Sequence, residues 1–303
     1  MSYRILSLSG GGIRGIFQAV YLRLLAERLK APIHEVFDLI AGTSTGAIIA
    51  AGLAIGADAG RAESLFRAWG PKIFARRWFS PVRRGARYSA EPLRKALESF
   101  YKDAKLDNCH TELAITGTVL EHFKCRVFSH LREGDTVNEF DRKLSLAEVV
   151  LASCAAPTFF PPARLHGEER TFVDGGLWAN APLLVAVIYA HKYRNVPFEH
   201  MRVVHVGNGE LAAGPGAAAF ASLRPISPKL VRIIFDMMFA AQSDMAERAV
   251  RIIIGEQNVA HIKPLLDSPI SPDDVRQALG RLPALAQDMA FNHSDKVIQL
   301  LAE

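Results

Sequence analysis

Apolar residues follow two different spacings in the first part of the chain. An apolar run at 4–8 ends in a glycine-rich loop, and apolar residues then recur every three or four positions over 16–30, as in a helix. A second run at 36–41 leads into the pentapeptide 42–46, and the small apolar residues of 47–55 predict a helix packed tightly on a sheet. This order of elements predicts a parallel sheet with helices on its faces.

To about residue 206, segments whose apolar residues are spaced as in strands alternate with segments spaced as in helices. After that point the spacing is that of helices. Further strands are predicted at 112–119, 124–129, 170–173 and 201–206, and further helices at 61–69, 90–100, 145–152 and 182–193, the last with Asn180 as its cap. Beyond residue 227 the pattern is almost wholly helical, with helices predicted at 228–256, 272–280 and 283–302. We therefore predict a three-layer α/β/α fold with a mainly parallel sheet, in a domain over 1–210. A helical C-terminal extension over 211–303 packs on it, and the Gly/Ala/Pro-rich stretch 211–218 is the predicted linker.

Composition narrows the class of protein. Half of the 303 residues are hydrophobic and 22% are charged, which favours a large core over disorder. The three cysteines, Cys109, Cys125 and Cys154, form no CxxC pair, which argues against a disulfide framework or a structural zinc site and favours a cytoplasmic location. We find no secretory signal and no run of about 18 apolar residues, so membrane contact is expected to be peripheral. The net charge of +5 is compatible with an anionic partner.

Ser44 is the first candidate for chemistry, because it lies in a Gly-x-Ser-x-Gly pentapeptide between a predicted strand and a predicted helix. A nucleophile on such a sharp turn needs neighbours without a Cβ, a requirement that Gly42 and Gly46 meet. The dipole of the following helix favours negative charge at its start. The alternative is a tight strand–helix turn filled with small residues.

The loop after the first strand supplies a second candidate feature. Gly10, Gly11 and Gly12 give consecutive backbone N–H groups that can face one point, as an oxyanion hole requires. Because parallel strands joined by a right-handed crossover end at the same edge of a sheet, this loop and Ser44 are expected to be neighbours.

The same glycines allow another interpretation. Gly10, Gly12 and Gly15 satisfy the GxGxxG pattern of a dinucleotide-binding loop. That pattern expects an acidic residue at the end of the second strand, whereas Asp38 lies near its start. The chain also lacks the Lys-Ser/Thr pair of a phosphate-binding P-loop there. A nucleotide-binding dehydrogenase domain is therefore the less favoured alternative.

Asp174 is the candidate base, since it ends an apolar strand and is followed by Gly175-Gly176. A carboxylate at that place can accept the serine proton directly, although Asp-Gly is also a common turn. In a Ser–Asp–His order the eligible histidines are those after Asp174, namely His191, His200, His205, His261 and His293. His205 is the best placed, but Val-Val-His-Val-Gly is typical of a strand interior and favours a core histidine.

Taken together, the motifs resemble those of the patatin-like phospholipase family. The matching segments are Ser9–Gly15, Gly42–Gly46, Ser153–Pro157, Phe160–Pro162 and Asp174–Gly176, within about residues 4–207. The resemblance implies a Ser44–Asp174 dyad without histidine and an oxyanion hole from Gly10, Gly11 and Gly12. Arg14 matches the family's basic position and is expected to shape the loop or meet phosphate or carboxylate. Residues expected to support the two loops are Arg14, Gly15, Gly42, Gly46, Gly175 and Gly176. Ser9 departs from the Asp that plant members often carry.

The function implied by this resemblance is hydrolysis of fatty-acyl esters of lipids, of phospholipase A type, through an acyl-serine intermediate. The chemistry needs no metal or organic cofactor. A catalytically idle lipid-binding or signalling module on the same fold is the other alternative. The motifs and the helical C-terminal third also resemble bacterial effectors that a cyclic dinucleotide activates in antiviral defence, so such an activator is a further expected partner.

Two other segments carry weaker signals. Residues 72–87 combine basic and aromatic residues without an acid, so they are either a solvated loop or a contact with anionic lipid at the inner face of the membrane. The residues predicted to make that contact are Arg76, Arg77, Trp78, Phe79, Arg83 and Arg84. No nucleic-acid-binding module surrounds them. The apolar segment 230–239 is predicted to be a core helix, with an acyl-chain groove as the alternative.

Overall fold

A mixed β-sheet organises the fold. The computed structural model describes residues 2–75, 86–130, 141–211, 220 and 228–303. Its main sheet contains β1 (Tyr3–Leu8), β2 (Leu39–Gly42), β3 (Glu112–Val119), β4 (Lys124–Ser129), β5 (Ala163–Arg164), β6 (Thr171–Asp174), β7 (Met201–Val206) and β9 (Val259–Ile262). Strands β8 (Glu210–Leu211) and β10 (Leu265–Leu266) form a separate parallel pair. The strands predicted at 112–119, 124–129 and 201–206 are confirmed to the residue.

Helices cover both faces of the sheet. In chain order they are α1 (Ile16–Leu29), α2 (Ile33–Val36), α3 (Thr45–Ala54), α4 (Ala59–Ile73), α5 (Glu91–Tyr101), α6 (Leu146–Ser153), α7 (Gly176–Ala179), α8 (Leu183–Arg194), α9 (Pro228–Ile254) and α10 (Val275–Ala302). One apolar core joins the sheet to α1, α3, α4, α5, α6 and α10, and a second joins it to α8 and the end of α9. The predicted three-layer α/β/α architecture is confirmed.

The direction of the strands decides which loops meet. β1 pairs in parallel with β2 and β7, and β2 pairs in parallel with the first half of β3. β6 runs antiparallel to the second half of β3, where Asp174 faces Gly117, while β4 pairs with Ala114–Val119 on the other edge of β3. β2 and β6 therefore lie end to end along one edge of β3, and their carboxyl ends point at each other.

The C-terminal part differs from its almost wholly helical prediction. β9 adds to the main sheet beside β7, with Val203 paired to Val259, and β10 pairs with β8. These strands have four and two residues, too few for a periodic pattern to show. The helices predicted at 272–280 and 283–302 are one continuous helix, α10, with Pro283 inside it.

Two further predictions for this half of the chain are wrong. Asn180 lies at the end of α7 and does not cap α8, because Pro182 precedes the first residue of α8 and occupies the cap. The described side chains of 233–239 are half-buried or exposed, so this part of α9 is not a core helix. The predicted linker 211–218 lies almost wholly outside the described residues, and the division at residue 210 stays a prediction.

Candidate active site

Ser44 lies on a strained turn between β2 and α3. Its φ of 54° and ψ of −121° are rarely adopted by residues with a side chain, and such conformations cost on the order of 1–3 kcal/mol. The flanking glycines are required by close approach. A Cβ on Gly46 would lie 2.2 Å from the carbonyl oxygen of Leu8, and one on Gly42 would lie 2.6 Å from the oxygen of Gly46. The turn therefore fits only the small neighbours that the pentapeptide provides.

Ser153 holds this turn from the end of α6. The backbone N–H of Ser44 donates to the Oγ of Ser153 over 2.8 Å, and Ser153 is fully buried. A buried hydrogen bond of this kind contributes about 0.5–1.5 kcal/mol and offsets part of the backbone strain. In the sequence, Ser153 is notable only as the first residue of a block that matches the resembled family.

The Ser44 hydroxyl and the Asp174 carboxylate line the same cavity and interact with each other. Asp174 is buried, and its Oδ1 accepts the backbone N–H of Gly176 at 2.7 Å. Burial raises the pKa of Asp174 from 3.8 to about 6, while the hydrogen bonds from Ser44 and Gly176 act to lower it. At neutral pH the carboxylate is therefore mostly ionised and remains a stronger proton acceptor than an exposed aspartate.

Asp174 reaches Ser44 from an antiparallel strand rather than from a parallel neighbour. The meeting of β2 and β6 along β3 brings the two side chains together, and Gly175 lets the chain turn there. A Cβ on Gly175 would lie 2.1 Å from the Thr116 hydroxyl oxygen. The hydroxyl of Thr43, next to Ser44, links the nucleophile turn to β3 and to α7. It contacts Thr116 Oγ1 at 2.7 Å and donates to the carbonyl of Ala179 at 2.6 Å.

The glycine loop offers two amides to the site instead of three. The N–H of Gly10 already donates to the carbonyl of Asn180 over 2.9 Å, which corrects its predicted role as an oxyanion donor. Within the described residues, the N–H groups of Gly11 and Gly12 have no acceptor. Both glycines line the cavity beside Ser44, so these two N–H groups remain the candidate donors.

Arg14 sets the direction of one of these amides. Its Nε and its backbone N–H both donate to the carbonyl oxygen of Gly11, at 3.2 and 3.3 Å. That carbonyl and the Gly12 N–H belong to one planar trans peptide and point in opposite directions. Fixing the carbonyl toward Arg14 therefore turns the Gly12 N–H away from it. The structure thus places Arg14 where it shapes the loop.

The C-terminal part closes the other side of the glycine loop. The carbonyl oxygen of Pro272 accepts the N–H of Ile13 at 2.8 Å. A Cβ on Gly12, which has a φ of 60°, would lie 2.3 Å from that same oxygen. Gly15 packs against the turn after Ser44, because a Cβ there would lie 2.2 Å from Thr45 Oγ1. The loop is therefore held between the nucleophile turn and Pro272.

A largely apolar cavity opens from Ser44 and Asp174. Its apolar walls come mainly from α4, from the segment after α6 and from single residues of other elements: Ile48, Leu65, Phe66, Ile73, Phe74, Leu93, Phe159, Phe160 and Phe239. Phe239 of α9 belongs to the segment 230–239, for which a groove was the alternative to burial. Cys154 also lines the cavity, but burial raises the pKa of its thiol well above the usual range, so it stays neutral. This shape suits an acyl chain next to a serine hydroxyl.

Histidine is absent from the described residues that line the cavity. His205 is fully buried in β7, where its ring nitrogens lie 3.1 Å from the hydroxyls of Ser7 and Ser9. Burial lowers the pKa of His205 to about 3, so the ring is neutral at physiological pH. His205 is thus a core histidine beneath the glycine loop.

Other predicted contacts fall outside the site or outside the described residues. Arg76, Arg77, Trp78, Phe79, Arg83 and Arg84 all belong to 76–85, which the structure does not describe. Across the described ranges, no group of three metal-ligating side chains is placed to hold an ion. No helix in the same part of the chain is long and apolar enough to cross a bilayer.

Two residues around the site, Gln242 and Pro272, carry no signal in the sequence. Gln242 bonds the Asn180 N–H from α9, and Pro272 reaches the glycine loop from the segment before α10. Gln242 and Pro272 are about 200 residues from Ser44 and lie in no recognisable motif. Only the tertiary fold brings them to the glycine loop and the Asp174 turn.

Comparisons with known proteins find a matching family and several similar chains. The sequence profile of the family described as patatin-like phospholipase matches residues 6–187. A cGAMP-activated phospholipase of Pseudomonas aeruginosa is 30% identical over 299 residues, covering 93% of this chain and 83% of the relative. A cUMP-AMP-activated phospholipase of Escherichia coli is 30% identical over 217 residues, covering 68% of this chain and 64% of the relative. The chain thus spans less than two thirds of the length of the second relative.

A solved structure supports the fold. The crystal structure of VipD from Legionella pneumophila superposes with a TM-score of 0.51 at 15% sequence identity. The similarity covers 96% of this chain and 67% of that one. At this identity the likeness concerns the arrangement of strands and helices alone.

Proposed function

The chain belongs to the patatin-like phospholipase family, whose members are lipid hydrolases, and we propose that it cleaves fatty-acyl esters of glycerophospholipids with Ser44 and Asp174. The observation that carries the proposal is that these two side chains line one apolar cavity, where the Ser44 hydroxyl interacts with the buried Asp174 carboxylate and lowers its pKa. The Gly11 and Gly12 amides, which have no acceptor among the described residues, line the same cavity. The family membership supports the reaction class, and the geometry supports the residues.

The first half of the proposed reaction forms an acyl-enzyme. Ser44 Oγ attacks the ester carbonyl carbon while its proton passes to Asp174. The carbonyl oxygen becomes an oxyanion that accepts from the Gly11 and Gly12 N–H groups, and the start of α3 adds a favourable dipole. When the tetrahedral intermediate collapses, the bond to the alcohol oxygen breaks. Asp174 returns the proton to that oxygen, and the lyso-lipid leaves.

The second half releases the fatty acid. Asp174 takes a proton from a water molecule, which attacks the carbonyl carbon of acyl-Ser44. The new oxyanion uses the same two amides, the bond to Ser44 Oγ breaks, and Ser44 recovers the proton from Asp174. The acyl chain occupies the apolar cavity, where burial of each CH₂ group contributes about 0.8 kcal/mol.

The test compares three substitutions on one soluble ester and on one covalent probe. Ser44→Ala and Asp174→Asn should each lower hydrolysis of a short p-nitrophenyl ester by several orders of magnitude. Ser44→Ala should also abolish labelling by a fluorophosphonate. His205→Ala, in a protein that still folds, should keep substantial activity. Loss with His205→Ala together with activity in Asp174→Asn would replace the dyad by a histidine-containing triad.

Two outcomes would favour the alternatives. A protein that binds lipid vesicles but leaves every ester intact would be an idle lipid-binding module. Stoichiometric NAD binding without fluorophosphonate labelling would indicate a dehydrogenase domain. Lipid analysis of membrane extracts treated with wild-type protein and with Ser44→Ala would identify the headgroup, the acyl chain and the ester position.

We further propose that a cyclic dinucleotide activates the chain and that it acts in antiviral defence. The support is its similarity to relatives named cGAMP-activated and cUMP-AMP-activated phospholipases. Hydrolysis of phosphatidylglycerol vesicles should rise on addition of cGAMP or cUMP-AMP and stay unchanged with the mononucleotides. Equal rates with and without both cyclic dinucleotides would refute this activation.

We also propose a cytoplasmic protein that docks peripherally at the inner face of the membrane. The predicted contact is the basic and aromatic segment within 72–87, of which 76–85 lie outside the described residues. Replacing Arg76, Arg77, Arg83 and Arg84 by Glu should reduce binding to phosphatidylglycerol vesicles steeply, because each basic residue contributes about 1 kcal/mol near such a surface. Hydrolysis of a soluble ester should change little. Unchanged vesicle binding would favour the alternative that the segment is a solvated loop.

A further inference from the structure

The side chain of Gln242 joins the two halves of the candidate site from outside both motifs. Gln242 lies in α9 and is half-buried. Its Nε2 donates to the carbonyl of Gly176 at 2.7 Å, and its Oε1 accepts the N–H of Asn180 at 3.1 Å. A backbone carbonyl can only accept and a backbone N–H can only donate, so these partners fix which way the amide points.

The two partners of Gln242 are a pair that a helix would bond directly. Gly176 and Asn180 are four residues apart, at the first position of α7 and at its C-cap. In an uninterrupted α-helix the Asn180 N–H would donate to the Gly176 carbonyl. The carboxamide of Gln242 stands between them and replaces that single bond by two. It acts as an inserted peptide group that stops α7 at Ala179.

Each of the two residues that Gln242 bonds is itself hydrogen-bonded to a part of the candidate site. The N–H of Gly176 holds the Oδ1 of Asp174, so the position of Gly176 sets one hydrogen bond of the candidate base. The carbonyl of Asn180 accepts the N–H of Gly10, which fixes the start of the glycine loop. The Ser9 carbonyl belongs to the same peptide as the Gly10 N–H and is held by the side-chain amides of Gln18 and Asn208.

From this arrangement we propose that Gln242 is a positioning residue for the dyad and the oxyanion amides, an inference that rests on the proposed function. Without the carboxamide, Asn180 N–H is free to bond the Gly176 carbonyl and to extend α7 by one residue. That bond draws the Asn180 carbonyl away from Gly10 and displaces the Gly176 N–H from Asp174. The activity of the hydrolase site is then set by a residue of α9, beyond the 6–187 segment that the family profile matches.

The test uses two substitutions at Gln242 in the full chain. Gln242→Met keeps the length and removes both hydrogen bonds. Gln242→Glu keeps the acceptor for Asn180, removes the donor to Gly176 and adds a negative charge near Asp174. The matched control is Gln287→Met, because Gln287 is exposed on α10 and makes no contact with the site.

With Gln242→Met, kcat for a soluble ester should fall about 10- to 100-fold with KM within about twofold, since the reacting groups are misplaced while the cavity is intact. The acid limb of the kcat/KM profile should move up by ~1 pH unit, because Asp174 loses a hydrogen bond that favours its ionised form. Gln242→Glu should move the limb at least as far. Gln287→Met should match wild type in rate and in pH profile.

Two results would overturn the inference. The first is a Gln242→Met protein whose kcat and whose acid limb in the pH profile of kcat/KM both equal those of the wild type. The other is a rate loss that merely follows a smaller folded fraction, with the acid limb unmoved, since a structural role alone has that effect. Wild type and Ser44→Ala are measured in parallel. A wild-type protein that is inactive, or a Ser44→Ala protein that is active, refutes the proposed function and the inference with it, whereas a Ser44-dependent wild type with an unaffected Gln242→Met refutes the inference alone.

Discussion

Asp174 illustrates how the chemistry of the site opposes the stability of the fold. Its carboxyl group is buried and has few polar partners beyond Ser44 and Gly176, so its pKa rises from 3.8 to about 6. A folded-state pKa above the unfolded one means that the native state binds the proton more tightly. Stability contributed by this group is therefore lost as pH rises from about 4 to 6, and the ionised base costs roughly 3 kcal/mol at neutral pH.

This cost leads to a prediction for Asp174→Asn. The amide keeps the shape and carries no charge, so it should increase the free energy of unfolding at pH 8 by an amount approaching ~3 kcal/mol. The gain should be smaller at pH 5 and vanish below pH 4, where both states of the wild type are protonated. Denaturant unfolding of both proteins at these pH values provides the measurement. A gain that is the same at every pH would show that the carboxylate is not the cause.

The pH dependence of the wild-type reaction belongs to the same residue. If Asp174 accepts the Ser44 proton, kcat/KM for a soluble ester should rise about tenfold per pH unit below pH 6 and level off above it. Burial lowers the pKa of His205 to about 3, so that ring stays neutral across this range and adds no second step. A limb near pH 4, typical of an exposed aspartate, would place the base elsewhere.

At the residue scale the sequence is informative where chemistry needs a rare local pattern. Gly42, Ser44 and Gly46 could be predicted because a strained turn accepts few residue types. Gln242 could not, because a glutamine in a helix is common and its two backbone partners are defined only by the tertiary fold. Gly10 shows the limit of the loop motif, since the motif gives three amides and the carbonyl of Asn180 occupies one of them.

Among the elements, the orientation of β6 has the largest consequence for the site. Its existence follows from the apolar run before Asp174, and the structure extends the predicted strand to Asp174 itself. Its antiparallel direction and its position end to end with β2 do not follow from any residue pattern, because pairing depends on the whole sheet. For β9, even the existence of the strand could not be predicted, because it has only four residues and is recognised only by its pairing with β7.

Two helices carry glycines whose replacement should have opposite effects. Gly46 in α3 faces the carbonyls of Leu8 and Ser9, where a Cβ would lie at 2.2 and 2.8 Å from the two oxygens. Gly280 in α10 is exposed, and a Cβ there meets no atom within 4 Å. Gly280→Ala should therefore stabilise the protein by about 1 kcal/mol without changing ester hydrolysis.

Gly46→Ala should instead separate β1 from the nucleophile turn. Overpacking of this kind typically costs about 1–3 kcal/mol, and the displaced Ser44 should lose most of its reactivity toward a fluorophosphonate. Thermal unfolding and labelling rates of the two alanine variants are the measurements. If Gly46→Ala were as active and as stable as Gly280→Ala, the close approach at Leu8 would not hold in solution.

For the whole molecule, the question is whether residues 1–210 form a unit of their own. The family profile ends at residue 187, and the glycine loop, the nucleophile turn and Asp174 all lie before that point. The C-terminal part nevertheless supplies β9 at the edge of β7, the Pro272 carbonyl behind Ile13 and the Gln242 bridge. Helix α10 also packs along α1, and Leu282, Ala286 and Val297 on it are buried.

Removing the C-terminal part would expose much of what these contacts cover. β7 would become an unprotected edge strand with free N–H and C=O groups, which favours aggregation. The face of α1 that packs on α10 would be exposed to solvent. The loss of each buried Leu or Val of α10 would lower the free energy of unfolding by about 1.5–3 kcal/mol. Such losses are comparable with the total stability of a typical domain, which is about 5–15 kcal/mol. The domain predicted over 1–210 is thus expected to depend for its stability on the extension 211–303 that packs on it.

A fragment of residues 1–210 should therefore fail to fold alone, and it should show neither fluorophosphonate labelling of Ser44 nor a cooperative thermal transition. Co-expression with residues 211–303 should restore both, because the missing strand, carbonyl and glutamine then return together. The full chain should unfold in one transition, with loss of labelling coincident with loss of near-ultraviolet circular dichroism. A fragment 1–210 that is monomeric, cooperative and labelled at the wild-type rate would establish an independent hydrolase domain, and would leave Pro272 and Gln242 as contacts without influence on the site.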